Sequence, residues 1–211
     1  MEHDEHYYVS GYSVEDDPYC QSNGVLINNF DIQDSKRLNE IEAEFSSIAL
    51  QELLLNSSPD TFTTDYLKFV HNEIFKEIYP WAGQFRKVDI GKADIWFKKH
   101  QDIEAELKSL FEGLASANTF MGLDLDTFSK NAAEFLAKLN HIHPFREGNG
   151  RTQRLVLSQI AIRNNMAINW EGISSSAMNK ACNDGIAGNF VSMQKLLKIY
   201  IEARNPQKPK I

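Results

Sequence analysis

Apolar residues recur at three- and four-residue spacing along most of this 211-residue chain, which favours a fold built mainly from helices. The first such segment follows Asp34 and Ser35, residue types that suit a helix N-terminus. A second segment, residues 63–79, is expected to end as a helix at Pro80. The predicted core face of the first helix consists of Leu38, Ile41, Phe45, Ile48 and Ala49.

Five further segments show the same helical spacing, and one segment breaks it. In residues 87–98, Val88 and Ile90 alternate, Ile95 and Phe97 alternate again, and Gly91-Lys92 between them is interpreted as a turn. A short β-hairpin is therefore predicted there. The further helices are predicted at residues 102–117, 126–143, 151–165, 174–186 and 189–204.

The chain shows no internal repeat and no linker that would divide it. A length of 211 residues suits one domain that buries its own core. We therefore expect a single domain over residues 1–211, with an irregular lead-in at residues 1–33 and a basic tail at residues 205–211.

Charge and composition exclude several classes of function. The net charge is -7 and the sequence pI is about 5.4, so no direct nucleic-acid binding is expected and any phosphate ligand must be bound by a local patch. The first residues are acidic and polar, and no run of about 18 apolar residues occurs, so we expect a cytoplasmic protein with no membrane contact. The two cysteines, Cys20 and Cys182, are expected to be reduced thiols.

Glycines and arginines concentrate in the stretch HPFREGNGRTQR, residues 143–154, between two predicted helices. Its Gly-Asn-Gly core lets backbone amides converge, and the following helix N-terminus adds positive potential, so an anion such as phosphate is the predicted ligand. Arg151 and Arg154 are three residues apart and can both reach phosphate oxygens. Two arginines at a helix N-terminus oppose the helix dipole unless a polyphosphate binds there.

Two other side chains in the stretch suggest catalysis. Glu147 would repel a phosphate unless a cation lies between them, and Mg²⁺ is commonly held by one or two carboxylates plus substrate phosphates. His143 is the side chain whose ordinary pKa allows it to accept a proton near neutral pH, so it is the candidate general base. The residues therefore predict a magnesium-nucleotide site with a base beside the phosphates.

This stretch resembles the signature of Fic domains, HxFx(D/E)GNGRxxR, at every fixed position. The DPY at residues 17–19, YPWAGQFRKVDI at residues 79–90 and AKLNHI before the motif are also similar to sequences of that family. The resemblance extends from about residue 17 to about residue 200. It implies a mostly α fold, a Fic-type helical bundle with a short β-hairpin flap over the active site.

The resemblance also implies an activity: transfer of AMP from ATP to a Ser, Thr or Tyr hydroxyl of a target protein, with release of pyrophosphate. ATP and Mg²⁺ would then be required. Carried onto this sequence, it implies a general base at His143, a Mg²⁺ ligand at Glu147, an α-phosphate site formed by Asn149 with the amides around Gly148 and Gly150, and contacts to the β- and γ-phosphates from Arg151 and Arg154 respectively.

The flap is expected to align an extended segment of the target protein, with Trp96 or Phe97 as its clamp. Asn179 and Asn183 are candidates for an adenosine pocket, with an ordinary helix and cap as the alternative. Two functional alternatives remain open: transfer of another nucleotide or phosphate moiety, and a non-catalytic module that binds ATP or a partner. Kinase-like Fic relatives replace the second motif glycine by lysine, so the intact Gly150 favours AMP transfer.

Many Fic enzymes carry an inhibitory helix, (S/T)xxxE(G/N), whose glutamate pairs with the last motif arginine. The nearest match here, SIALQE at residues 47–52, has glutamine where the glutamate belongs. We therefore expect a separate small antitoxin chain that supplies the glutamate to Arg154. An unregulated enzyme and a more divergent inhibitory motif are the alternatives.

Overall fold

The computed structural model describes residues 17–56, 59–92 and 95–203. Helices make up most of this part of the chain, so the expected mostly α fold is confirmed. In chain order they are α1 (Ser35–Asn56), α2 (Thr64–Phe75), α3 (Ile103–Ser116), α4 (Leu125–Ile142), α5 (Asn149–Arg163), α6 (Ser175–Ile186) and α7 (Val191–Tyr200).

Two antiparallel strand pairs accompany the helices. The first joins β1 (Gly91–Lys92) to β2 (Ile95–Trp96), with Gly91 opposite Trp96. The second joins β3 (Met166–Ile168) to β4 (Ile201–Ala203). Short 3₁₀ turns precede and follow α3 at His100–Asp102 and Asn118–Phe120.

The hairpin exists where the sequence predicts it, but its turn lies elsewhere. Gly91-Lys92 is not the turn, because these two residues form β1 and pair with β2. Residues 93 and 94 join the strands and lie outside the described residues. The alternation of Val88 and Ile90 therefore belongs to an irregular segment that leads into the hairpin.

The predicted core face of α1 is confirmed at Leu38 and wrong at Phe45 and Ile48. Phe45 and Ile48 are 37% and 57% exposed, whereas Leu38, Glu42 and Ser46 are buried. These three residues are four apart and share one face of the helix. A glutamate and a serine occupy the inner face because an arginine of α5 meets them there, which hydrophobic spacing within α1 cannot reveal.

Two helix ends also differ from the prediction. Helix α2 ends at Phe75, before Pro80, and the chain turns so that Ile78 and Tyr79 both donate their amides to the Phe75 carbonyl. The last helix ends at Tyr200, and the next three residues form β4 against β3. The end of α2 is set by this local turn, whereas β4 depends on a strand distant in sequence. The tail at residues 205–211 lies outside the described residues, as do residues 1–16 of the lead-in.

Helix α4 lies at the centre of the core. The residues predicted for its inner face are all buried: Phe128, Ala132, Phe135, Leu136 and Leu139. Helix α6 approaches it closely, since a Cβ added at Gly185 would lie 2.7 Å from the Cβ of Ala137. Consequently α6 is close to the loop between α4 and α5, which contains most of the motif. Within the described residues, no helix is both long enough and apolar enough to span a membrane.

Candidate active site

The loop between α4 and α5 begins and ends with left-handed backbone. His143 has a φ of 48° and terminates α4, and Gly148 has a φ of 77° and precedes α5. Phe145 between them is completely buried and stacks on His71 with ring centroids 3.8 Å apart. The loop is thus anchored in the core, while the first turn of α5 presents amides that have no partner within the helix.

His71, a buried histidine of α2, is hydrogen-bonded to this loop. The Gly83 amide donates to Nδ1 of His71 at 2.8 Å, so Nε2 carries the ring proton and donates to the Glu147 carbonyl at 3.0 Å. Burial lowers the pKa of His71 to about 3, which keeps the ring neutral. Sequence reasoning missed His71, because a lone histidine on a helix carries no local sign of this role.

Two further contacts hold the loop from its sides. Nε of Arg146 donates to Asp17 at 2.8 Å, and both side chains are buried. The side chain of Asn149 accepts from the Phe145 amide at 2.9 Å and donates to the Phe145 carbonyl at 2.8 Å. The side-chain amide of Asn149 is therefore engaged in holding the loop. Only the backbone of Asn149 belongs to the first turn of α5.

Arg86 joins the hairpin segment to the loop between α4 and α5, and the sequence did not predict this. It is 2% exposed, and its guanidinium donates to backbone carbonyls of His143, Val88, Lys98 and Ile142. Its charge also lies at the C-terminus of α4, where the helix dipole favours a cation. One side chain thereby ties both ends of the hairpin segment to the end of α4.

The ring of His143 is held in one tautomer. Its Nδ1 lies 3.0 Å from the carbonyl oxygen of Asn140, which can only accept, so Nδ1 carries the proton and Nε2 carries the lone pair. Phe97 stacks on the ring at 3.7 Å between centroids. Burial lowers the pKa of His143 to about 3, so the ring is neutral and able to accept a proton at physiological pH.

The two motif arginines have different surroundings. Arg151 pairs with Glu42 at 2.5 Å and lies 3.7 Å from Glu147, and these acids outweigh burial and raise its pKa. Arg154 has no acid or hydrogen-bond acceptor as a partner among the described residues, and burial together with the charge of Arg151 lowers its pKa. A half-buried cation of this kind favours an anionic ligand.

Glu147 is the carboxylate available for a metal ion. Burial and the nearby charge of Glu42 raise its pKa, and the charges of Arg151 and Arg146 offset only part of this effect. The described residues contain no group of three or more His, Cys, Asp and Glu side chains that could hold a metal by themselves. One carboxylate plus ligand phosphates is an arrangement that suits Mg²⁺, so Glu147 fits the predicted role.

These groups open into one cavity of about 350 Å³ beneath the hairpin. Asn179 and Asn183 of α6 lie at its exposed edge, and Phe97 lies in its wall, whereas Trp96 is 46% exposed and does not line it. A larger cavity of about 480 Å³ between α3 and α4 contains no motif residue. The motif residues that line the smaller cavity are His143, Glu147, Gly148, Gly150, Arg151 and Arg154.

Comparison with known proteins agrees with this geometry. The profile of the Fic/DOC family matches residues 61–161. A probable protein adenylyltransferase named Fic from Escherichia coli K12 is 30% identical over 189 residues, covering 89% of this chain and 94% of that protein. The chain belongs to the Fic/DOC family.

Two other similar proteins extend the comparison. Protein adenylyltransferase VbhT of Bartonella schoenbuchensis is 35% identical over 188 residues, or 89% of this chain, and the chain spans only 39% of the length of VbhT. The crystal structure of BepC from Bartonella tribocorum with bound AMPPNP matches with a TM-score of 0.82 and 25% identity, covering 89% of this chain and 97% of BepC.

We expect the Gly148→Ala substitution to lower the free energy of unfolding by about 2–4 kcal/mol. A Cβ at Gly148 would lie 2.2 Å from Cε2 of Phe75, and the φ of 77° is unfavourable for alanine. Urea denaturation would measure the loss. Gly113→Ala in α3 is the control, because no atom lies within 4 Å of its added Cβ and alanine favours helix. Equal stability of the two variants would contradict the prediction.

The stability of this Fic domain should decrease as the pH falls below 6.5. His71 and His143 keep pKa values of about 3 in the fold, whereas unfolded histidines titrate near 6.5. Between these values the unfolded chain binds more protons, so each histidine costs up to about 1.4 kcal/mol per pH unit. Urea denaturation at pH 7, 6 and 5 would show this loss, and a constant free energy of unfolding would refute it.

Proposed function

We propose that this cavity transfers AMP from ATP to a Ser, Thr or Tyr hydroxyl of a target protein, with pyrophosphate as the leaving group. The observation that carries the proposal is a neutral histidine and an unpaired arginine in one cavity at the N-terminus of α5. A phosphate bound there would face both an acceptor for a proton and donors for negative charge. The names of VbhT and of the Escherichia coli relative support the same activity.

His143 acts as the general base in this scheme. Nε2 takes the proton of the target hydroxyl while that oxygen forms a bond to the α-phosphorus of ATP. The bond from the α-phosphorus to the bridging oxygen breaks, and pyrophosphate leaves with the electron pair. The carbonyl of Asn140 stabilises the ring as it becomes charged, because Nδ1–H already donates to it.

The phosphates are bound by the first turn of α5 and by the two arginines. The amides of this turn face the α-phosphate, Arg151 faces the β-phosphate and Arg154 the γ-phosphate. Mg²⁺ on Glu147 supplies further positive charge to the phosphates when it is bound. A side chain larger than glycine at Gly150 would crowd this arrangement, since an added Cβ would lie 3.1 Å from Nη1 of Arg154.

The remaining lining residues provide positions for adenosine and for the target. Asn179 and Asn183 lie on α6 among the residues that line the cavity, where they can contact adenosine. The target segment lies along the hairpin, and the exposed Trp96 contacts it from outside the cavity. Phe97 has a different role from Trp96, because it stacks on His143 and orients the base.

Labelled ATP tests this function directly. The purified chain is mixed with cell lysate and Mg²⁺, and in parallel with ATP labelled at the α-phosphate, ATP labelled at the γ-phosphate, and UTP labelled at the α-phosphate. We expect a protein band labelled by α-labelled ATP alone. A band from γ-labelled ATP would instead indicate phosphate transfer, and a stronger band from UTP another nucleotide. Loss of the band with EDTA would support the metal requirement.

A small antitoxin chain is part of the same proposal. It would place a glutamate on Arg154, the arginine that has no partner among the described residues, and so exclude the γ-phosphate. The outer side of α1 offers it a contact surface, because Phe45 and Ile48 are exposed there. Expressing the chain alone and together with a small neighbouring open reading frame tests this. Equal growth and equal labelling in both cases would reject it.

A further inference from the structure

Glu42 is an acidic residue of α1 that faces the catalytic motif from outside it. It is 8% exposed, and both of its carboxylate oxygens are occupied. Oε1 accepts a hydrogen bond from Nη2 of Arg151 at 2.5 Å, and Oε2 accepts one from the hydroxyl of Tyr79. Burial and the charge of Glu42 raise the pKa of Tyr79, so this hydroxyl keeps its proton.

The guanidinium of Arg151 is held on three sides by residues of α1 and α2. Ser46, one turn after Glu42, accepts from Nη1 at 3.0 Å. The ring of Phe75 lies under the guanidinium, 4.7 Å from its carbon to the ring centroid. These contacts leave one orientation for the planar group, and the hydrogen-bond directions of the guanidinium are fixed with it.

The position of Glu147 explains why the orientation of the Arg151 guanidinium matters. It lies one helical turn before Arg151, and its Oε1 is 3.7 Å from Nη2, too long for a hydrogen bond. Without Glu42, the same nitrogen would be free to close on Glu147, since this i,i+4 pair favours contact. Glu147 would then be neutralised by Arg151 and lose its availability to a cation, and Arg151 would turn away from the phosphates.

We propose that Glu42 is a positioning residue that holds Arg151 toward the phosphates of ATP and away from Glu147. The inference rests on the proposed AMP transfer and adds a residue that lies 109 positions from its partner in sequence. It also separates the roles of the two arginines. Arg151 is oriented and charge-balanced by the protein, whereas Arg154 is left for the ligand to pair.

A double-mutant cycle tests whether Glu42 acts through Arg151. The four proteins are the wild type, Glu42→Gln, Arg151→Ala and the double variant, all with Mg²⁺. Two quantities are measured for each: the dissociation constant for AMPPNP by calorimetry, and the maximal rate of protein labelling at saturating ATP. Glutamine keeps the size of the side chain but removes its charge, and its single oxygen cannot accept from both Arg151 and Tyr79 as the carboxylate does. Glu40→Gln on the exposed side of α1 is the matched control.

We expect Glu42→Gln to lower the maximal labelling rate about tenfold, since misplacement of a group that meets the leaving pyrophosphate reduces the rate more than the binding. The dissociation constant should rise about threefold, because Arg151 also contributes to phosphate binding. Neither quantity should change further when Glu42→Gln is added to Arg151→Ala. Glu40→Gln should match the wild type in both.

Three outcomes would overturn the inference: an unchanged rate in Glu42→Gln, losses of equal size with and without Arg151, or a loss explained by the fraction of unfolded protein. The calorimetric cycle does not require transfer. If the wild type binds AMPPNP but labels no protein, the proposed function is refuted. The role of Glu42 is refuted separately if Glu42→Gln weakens AMPPNP binding equally in the wild type and in Arg151→Ala. Should Glu42→Gln fail to fold, Ser46→Ala enters the same cycle with a smaller expected loss.

Discussion

Replacement of His143 by alanine is expected to lower the rate of AMP transfer about a thousandfold, the middle of the range for loss of a general base. The alanine variant has no group at Nε2 to take the hydroxyl proton, while both arginines and the first turn of α5 remain. Calorimetry should therefore show AMPPNP binding within about threefold of the wild type. The rate is measured as the initial increase of α-phosphate label in the target band.

His141→Ala is the matched control for this experiment. His141 lies two residues earlier in the last turn of α4, and its side chain lines the other, larger cavity. Its loss should leave the labelling rate within about twofold of the wild type, because surface substitutions away from a site have small effects. A labelled band of full intensity in His143→Ala would exclude His143 as the base. A similar loss in both variants would point to a structural effect of the helix end.

The second large effect is expected from Arg86→Ala, which should lower the free energy of unfolding by about 3–5 kcal/mol. Removal of the guanidinium leaves buried carbonyls of His143 and Ile142 without their charged donor, together with those of Val88 and Lys98. Because these carbonyls belong to both the hairpin segment and the end of α4, transfer should also decline in the fraction that remains folded. Urea denaturation and the labelling rate measure the two effects.

Two comparisons sharpen the test of Arg86. Arg37→Ala removes an exposed arginine paired with Glu40, and its cost should stay within about 0.5 kcal/mol. Arg86→Lys keeps the charge but replaces the planar set of donors by a single ammonium group, so it should recover less than half of the lost stability. Full stability in Arg86→Lys would show that charge at the end of α4, and not the set of carbonyl contacts, is what Arg86 contributes.

Much of the fold was predictable because helical periodicity is a local signal. The inner face of α4 was predicted residue by residue, and the hairpin was placed correctly between α2 and α3. Two of the errors occur where an element depends on a distant partner. The inner face of α1 contains Glu42 because Arg151 meets it, and the chain after Tyr200 forms a strand because β3 lies beside it.

The candidate site also combines features that depend on neighbouring residues with features that depend on distant ones. The candidate site could be proposed from the sequence because its histidine, carboxylate, glycines and arginines lie within twelve consecutive residues. Asn149 was the exception, since its side chain braces Phe145 and does not line the cavity. The roles predicted for Trp96 and Phe97 could not be distinguished in the sequence, and only the structure places Phe97 on His143.

The sequence by itself determined the helical architecture, the hairpin and the set of side chains in the motif, since all three are properties of neighbouring residues. Only the tertiary structure decided what holds that motif in place. His71 lies under the loop, Arg86 joins it to the hairpin, and Asp17 and Glu42 pair with its arginines across 129 and 109 residues of sequence. Such pairs are set by how helices pack, and a buried charge finds its partner only after that packing is complete.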